Sequence, residues 1–373
     1  MSEQAQQLIE ENLKTKNPVL DLANCELLGG EDELFALLKD ATHLQTLNFS
    51  QIWYEYNPKK QGWITRESQN KDGLNVLYQI PSYLPPNLQE LCLGGNDKEG
   101  QIDDITPLKN CKSLQVLDLS CNKIRDLDPL VKLPHLNTLD ISYNQVQSSE
   151  PIKSLTKLSM LILSGNEIQD IDFIYSLINL EFLDLRVNEI KSIESIRPLN
   201  KLRCIDLSDN EIQHIAPIQS LTNLQKLYLE SNSIQDITII QHLESLQYLS
   251  LDHNQIQHIE PIQKLKNLHF LGLLQNPIQD TSPIKALYNL RSLYIEPTKI
   301  ATPPPFWLAQ LHAGKDKLGN LIMHKELPEI DKIWHFLSSG ASANKKLGAQ
   351  LAKSQGWTNE EVDMYQKLAK TYL

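Results

Sequence analysis

The side chains able to do chemistry stand on a grid with an interval of 22 residues. Asp118 and Asp140 are one interval apart, and so are Asp184 and Asp206. Carboxylates set side by side on adjacent strands repel each other, and a cation or a basic partner relieves that repulsion; the alternative is that Asp simply suits the LDLS strand, where nearby serines and water solvate it. Tyr228, Tyr248, Phe270, Leu274 and Tyr294 form a second group, bordered by Glu230, Asp252 and Glu296. Aromatic rings with a charged rim are the composition of an interface hot spot, the reading adopted; cross-strand stacking that stabilises the sheet, or a patch covered by the C-terminal helices, are the alternatives. Phe182, with Met160 and Ile162, is a smaller apolar group between the two. His214 and His258 share a column with Asp170, Asp236 and Asp280. A metal site is one reading of that column, and a solvated ladder of weak cross-repeat charge contacts is the other and the one adopted. No GxSxG elbow, HExxH pair or GxxxxGK[ST] loop occurs, and Gly314-Lys315-Asp316 lacks the upstream glycine spacing and the hydroxyl for magnesium. The sequence assigns no catalytic residue, no metal and no cofactor.

The elements that position these residues follow from the leucines. Leu114, Leu136, Leu158, Leu180, Leu202, Leu224, Leu246, Leu268 and Leu290 open successive copies of LxxLxLxxNxI, and an earlier copy opens at Leu88. In the LxL triplet alternate side chains leave opposite faces of a strand, so the leucines point inward and the residues between them outward. One copy cannot bury its own leucines, whereas stacked copies enclose a continuous core. The asparagines at 122, 144, 166, 188, 210, 232, 254 and 276 form an inward ladder, because an amide supplies both donors and an acceptor to the backbone freed at each turn. The back half, IxPIxxL as in Ile215, Pro217, Ile218 and Leu221, is too short for a full helix and predicts 3₁₀ turns. The expected fold is an α/β solenoid, a horseshoe or arc with a concave parallel sheet, a convex side of 3₁₀ turns and loops, and a small C-terminal helical appendage.

The stretches NLQKLYLESNSIQDI and DITPL resemble the 22-residue leucine-rich repeats of bacterial internalins and of phosphatase-regulatory subunits. The resemblance covers residues 88–300, and ten copies do not arise by chance. It implies a curved solenoid used for protein recognition. The flanks VLDLANCEL, WYEY…GWITRESQNK, LPPNLQELCLGGN and PPPFWLAQLHAGKDKLGNLI are similar to bacterial leucine-rich-repeat regions found before Roc GTPase domains. No GTPase loop follows here, so that activity is not carried over.

The ends must seal the core. Residues 1–87 are read as an N-terminal cap, with a helix over 3–15 carrying Leu8 and Leu13 on one side and a degenerate strand over 19–27. Cys25 stands there where other copies have asparagine, and Cys111 stands where they have leucine, so both are read as core. Residues 51–87 interrupt the array with Trp53, Tyr54, Tyr56 and Trp63, read as a cap extension packed on the solenoid edge or as an aromatic binding loop. Residues 301–373 are read as a C-terminal cap with three helices, seeded by Ile330 to Leu337, by Leu347 and Leu351, and by the capping box of Thr358 and Glu361.

A net charge of -11 argues against nucleic acid, and no apolar run is long enough to span a bilayer. The polar stretch from Met1 to Lys16 and five cysteines without CxxC or zinc spacing place the chain in the cytoplasm. The resulting expectation is a non-catalytic scaffold or signalling adaptor that holds a basic and apolar protein segment on its concave face. The aromatic group would supply affinity and the Asp pairs would steer association. The rival is a regulatory subunit acting on an enzyme through its C-terminal helices.

Overall fold

Short LxL triplets, each followed by an asparagine turn, limit the strands to three or four residues and set a parallel sheet. The structure, a computed structural model, describes residues 2–295 other than 28–31, 40, 58–61, 69, 71–74, 96–99 and 288, together with the backbone of 312–315 and 321–324. The chain divides into two compact units, Met1–Asp206 and Leu207–Leu373.

In the first unit the strands are Val19–Asp21 (β1), Thr46–Asn48 (β2), Ile52–Asn57 (β3), Gly62–Glu67 (β4), Glu90–Cys92 (β5), Val116–Asp118 (β6), Thr138–Asp140 (β7), Met160–Ile162 (β8), Phe182–Asp184 (β9) and Cys204–Asp206 (β10). β1, β2 and β5 to β10 form a parallel sheet in that order, while β3 and β4 pair as a separate antiparallel hairpin. In the second unit Lys226–Tyr228 (β11), Tyr248–Ser250 (β12), Phe270–Gly272 (β13) and Ser292–Ile295 (β14) are likewise parallel. The registers stack leucine on leucine, as in Leu117↔Leu139↔Leu161↔Leu183 and Leu227↔Leu249↔Leu271↔Leu293. Every one of these leucines is fully buried. The back halves are 3₁₀ turns, such as Asp128–Lys132 in the first unit and Glu260–Lys264 in the second.

The asparagine ladder holds neighbouring copies together. Asn144 Nδ2 donates to the carbonyls of Leu119, Ile141 and Ser142 at 3.0–3.1 Å, and its Oδ1 accepts from Ile124 N at 2.9 Å. Two of those four groups belong to the preceding copy, so each asparagine is a coupling between repeats. The residue before each ladder asparagine is left-handed: Cys121, Tyr143, Gly165, Val187, Asp209, Ser231, His253 and Gln275 have φ between 51° and 66°. Only one of the eight is glycine. A left-handed β-branched residue is strained by about 1–2 kcal/mol. Val187→Asn should therefore raise stability by about 0.5–1 kcal/mol in urea denaturation, whereas Gly165→Ala should lower it. A Cβ on Gly165 would fall 2.4 Å from the Tyr143 ring. Unchanged stability in both variants would contradict the strain argument.

The N-terminal cap is the helix Glu3–Thr15 (α1), capped by Ser2, whose side chain accepts from Ala5 N. Its buried stripe is Ala5, Ile9 and Asn12, and the expected Leu8 and Leu13 lie half-buried beside it. Cys25 and Cys111 are buried. The register puts Ile52 where a ladder asparagine belongs, but the chain leaves for the β3–β4 hairpin and Asn75 returns to fill the place. Asn75 donates to the carbonyls of Leu22 and Phe49 and accepts from the backbone of Cys25 and Leu27. The insertion is thus spliced between a strand and its ladder residue. The side chains of Trp53, Tyr54, Tyr56 and Trp63 lie outside the described residues.

At the other end the sequence reading did not anticipate two further strands, His312–Lys315 (β15) and Leu321–His324 (β16). β16 pairs antiparallel with β14, and β15 with β16. The sequence between them, with Gly319 and Asn320, has the composition of a hairpin turn. The three helices expected over 330–373 lie outside the described residues, as does Glu296.

Candidate functional site

The residues between the inward leucines form the outer face of each sheet. In the first unit the register aligns Asp118 with Asp140, and Asp184 with Asp206. The expected solvated carboxylates are not found. Asp118, Asp140 and Asp184 are only 4–6% exposed. Each folds back on its own turn: Asp118 Oδ1 accepts from Ser120 N at 2.9 Å, Asp184 Oδ1 from Arg186 N at 3.1 Å, and Asp140 Oδ1 from both the backbone and the hydroxyl of Ser142. Alternation along a strand fixes the side from which a side chain leaves, not whether its neighbours cover it. The same correction applies to the small apolar group, since Met160 and Ile162 are buried and only Phe182 is half-buried.

Burial decides the charge of this column. It pushes the Asp140 carboxyl up to about 8, with the Asp118 charge adding to the effect. Burial also raises Asp118 above the usual carboxylate range. Asp184 is pushed up to about 6 by burial, against the opposing pull of Arg186. Arg186 lies 3.3 Å from Asp184 and 4.0 Å from Asp206, so the chain supplies that pair with its own cation. The role expected for the Asp pairs, steering a basic partner, is therefore not supported: one pair is buried and the other carries an internal counter-charge. Arg186 was missed by the sequence reading. The signal was present, because it is the one basic residue in the column Ser120, Ser142, Ser164, Arg186, Ser208, Glu230, Asp252 and Leu274.

On the back of the repeats the aspartates close Asx turns. Asp170, Asp236 and Asp280 each accept through Oδ1 from the backbone two residues on, at 2.8 Å, which starts the next 3₁₀ turn. The Thr238 and Ser282 hydroxyls hold Asp236 and Asp280 below the usual carboxylate range. These contacts lie within one turn rather than across repeats, as had been expected. Among the described residues no three His, Cys, Asp or Glu side chains are grouped to hold a metal ion.

In the second unit the structure brings the aromatic residues together. Tyr228 and Tyr248 have ring centroids 4.6 Å apart and tilted by 37°, Tyr248 and Phe270 stack at 3.9 Å and 5°, and Phe270 and Tyr294 lie 5.1 Å apart at 38°. The four rings make a continuous row across four consecutive strands. All are half-buried, as is Leu274 beside them. Burial, and then the nearby Tyr228 and Glu230, raise the Tyr248 hydroxyl above the ordinary tyrosine value, so the ring is neutral through the physiological range. Sequence reasoning identified the rings but gave no role to Ser250 and Gly272, the small residues beside which the Asp252 carboxylate lies. Ser250 is fully buried, and a Cβ on Gly272 would fall 2.3 Å from Asp252 Oδ2.

Comparisons with known proteins agree with this geometry. The family described as "Leucine-rich repeat" matches residues 173–295, and the one described as "Leucine Rich repeats (2 copies)" matches 86–132, 112–155 and 134–176. A search of curated proteins finds no match. Among solved structures, a leucine-rich-repeat protein of Leptospira interrogans is 25% identical, with 81% of this chain and 84% of that one covered and a TM-score of 0.58. An internalin of Listeria monocytogenes is 23% identical over 78% of this chain and 94% of that one, with a TM-score of 0.56. The ectodomain of a membrane receptor kinase of Arabidopsis thaliana, in complex with Casparian strip integrity factor 2, is 25% identical over 74% of this chain and 32% of that one, with a TM-score of 0.57. No helix among the described residues is long and apolar enough to cross a membrane. The repeat profiles, the leucine register and the asparagine ladder agree, and the chain belongs to the leucine-rich-repeat proteins.

Proposed function

We propose that this protein is a non-catalytic binding scaffold, a cytoplasmic adaptor that holds a partner protein on the sheet face of its second unit. The observation that carries this reading is the row Tyr228, Tyr248, Phe270 and Tyr294. Four half-buried rings stacked across four strands give a rigid apolar surface with little side-chain entropy left to lose on binding. Leu274 extends the row, and Phe182 offers a lesser contact on the first unit. The Arabidopsis receptor ectodomain is in complex with a named factor, which supports polypeptide recognition by repeats of this kind. The buried thiols of Cys25, Cys92 and Cys111 suit a reducing compartment.

The test compares affinity capture by the wild type and by a Tyr228/Tyr248/Phe270/Tyr294→Ser variant, with circular dichroism verifying that both are folded. Replacing four aromatic anchors should weaken binding at least about a hundredfold, because a handful of such residues carries most of an interface's energy. Equal capture of the same partner by both proteins would place the interface elsewhere. Loss of that partner on deletion of 301–373, with the rings intact, would favour the regulatory-subunit reading.

A further inference from the structure

Within this binding reading, on which it rests, the geometry points to a specific occupant: an extended peptide segment that lays apolar side chains along the ring row and sets an arginine or lysine against Glu230 and Asp252.

The row crosses three strand spacings, about 14 Å, which an extended chain covers with roughly four residues. Charge complementarity sets the rest of the occupant's chemistry. Glu230 and Asp252 hold equivalent places one repeat apart, directly after β11 and β12. Both converge on one side chain: the Ser250 hydroxyl contacts Glu230 Oε1 and lies 2.9 Å from Asp252 Oδ2. A hydroxyl has a single proton, so it satisfies one carboxylate and leaves the other without it. Gly272 lets the Asp252 carboxylate lie flat against β13, where Oδ1 accepts from Leu274 N at 2.5 Å.

The first unit shows how this sheet neutralises such a pair. There the column that carries Glu230 and Asp252 carries Arg186 instead, and its guanidinium reaches from Asp184 to Asp206. In the second unit the column is acidic, and neither Glu230 nor Asp252 forms an ion pair among the described residues. Lys226, at the opposite end of β11, is exposed and paired with neither. A basic side chain from the partner would do for Glu230 and Asp252 what Arg186 does for Asp184 and Asp206. Burial also pushes Asp252 up to about 6, against the Leu274 and Ser250 hydrogen bonds; Glu230 adds to the push, and the adjacent His253 offsets it by a smaller amount. An incoming cation would reverse that shift.

The experiment selects a phage-displayed random nonapeptide library on the full-length protein, then measures fluorescein-labelled copies of the enriched peptides by anisotropy. The expected result is enrichment of Arg or Lys together with apolar residues. Affinity should fall about tenfold in Glu230→Gln/Asp252→Asn, as for one charge-assisted contact, and should also fall as salt rises from 50 to 500 mM. Both substitutions keep shape, and an amide at 252 can still accept from Leu274 N while its nitrogen donates to the Ser250 hydroxyl oxygen, so circular dichroism should be unchanged. Enriched peptides without basic residues, or basic peptides insensitive to the Gln/Asn variant, would overturn the proposal. If such peptides still lose binding in Tyr248→Ser/Phe270→Ser, the ring row stands as the interface and only the cation contact fails. Basic peptides indifferent to the ring variant, or no enrichment at all, would overturn both readings.

Discussion

Asn144→Asp is expected to destabilise the first unit by roughly 3–5 kcal/mol. The substitution keeps size and shape and leaves Oδ1 to accept from Ile124 N. It removes every donor from a side chain whose amide faces the carbonyls of Leu119, Ile141 and Ser142. A carboxylate aimed at three carbonyl oxygens, in a place only 8% exposed, is both unpaired and repelled. Asn144→Ala loses the same bonds without burying a charge and should cost less. Urea denaturation would show the order Asp, Ala, wild type from least to most stable. Hydrogen exchange should report the damage first in the two copies that Asn144 joins, because the ladder couples neighbouring repeats and stability in such arrays is a sum of local and nearest-neighbour contributions. A loss under 1 kcal/mol for Asn144→Asp would mean that water or backbone adjustment satisfies those carbonyls, and that the ladder is not what holds the repeats in register.

The period made most of this fold readable before any coordinates. Leu117, Leu139, Leu161 and Leu183 recur at one spacing, and that spacing alone implies strands in register, a buried leucine stack and an asparagine ladder. What stayed hidden depends on three-dimensional neighbours. The outward place of Asp140 was readable, its burial was not, since that depends on how residues of adjacent strands and the Ser142 turn close over it. The left-handed column escaped because Cys121, Tyr143, Val187, Asp209, Ser231, His253 and Gln275 share no chemistry. Their backbone is imposed by the ladder on either side rather than by their own preference. Asn75 escaped because the hairpin insertion shifts it out of period, although its hydrogen bonds make it a ladder residue. For the candidate site, the ring residues were readable from their spacing. The diagonal row from Tyr228 through Tyr248 and Phe270 to Tyr294 was not, because it links two different outward columns of the repeat.

The first unit should also become less stable as pH rises from about 4 to 8, the opposite of the usual behaviour of a carboxylate-rich protein. Asp140 is pushed up to about 8 in the folded chain, first by burial and then by the Asp118 charge, whereas an unfolded aspartate titrates near 4. Within that window the folded state keeps a proton that the unfolded state releases, so unfolding gives up protons and each step upward in pH favours it. Asp118, also raised by burial, works in the same direction, and Asp184, up to about 6, adds to the lower part of the window. Asp140→Asn makes the neutral form permanent and can still accept from Ser142. It should therefore flatten the pH dependence and stabilise the protein at pH 8 by on the order of 1–3 kcal/mol, because the folded state no longer has to hold a proton that the unfolded chain releases. Arg186→Gln should act oppositely near pH 7, since it strips Asp184 and Asp206 of the cation that offsets their burial. Thermal unfolding of the three proteins at pH 5, 6.5 and 8 separates these effects. A wild-type midpoint that stays level or rises across that range would show that Asp140 is ionised in the folded state, with the Ser142 hydrogen bonds outweighing its burial.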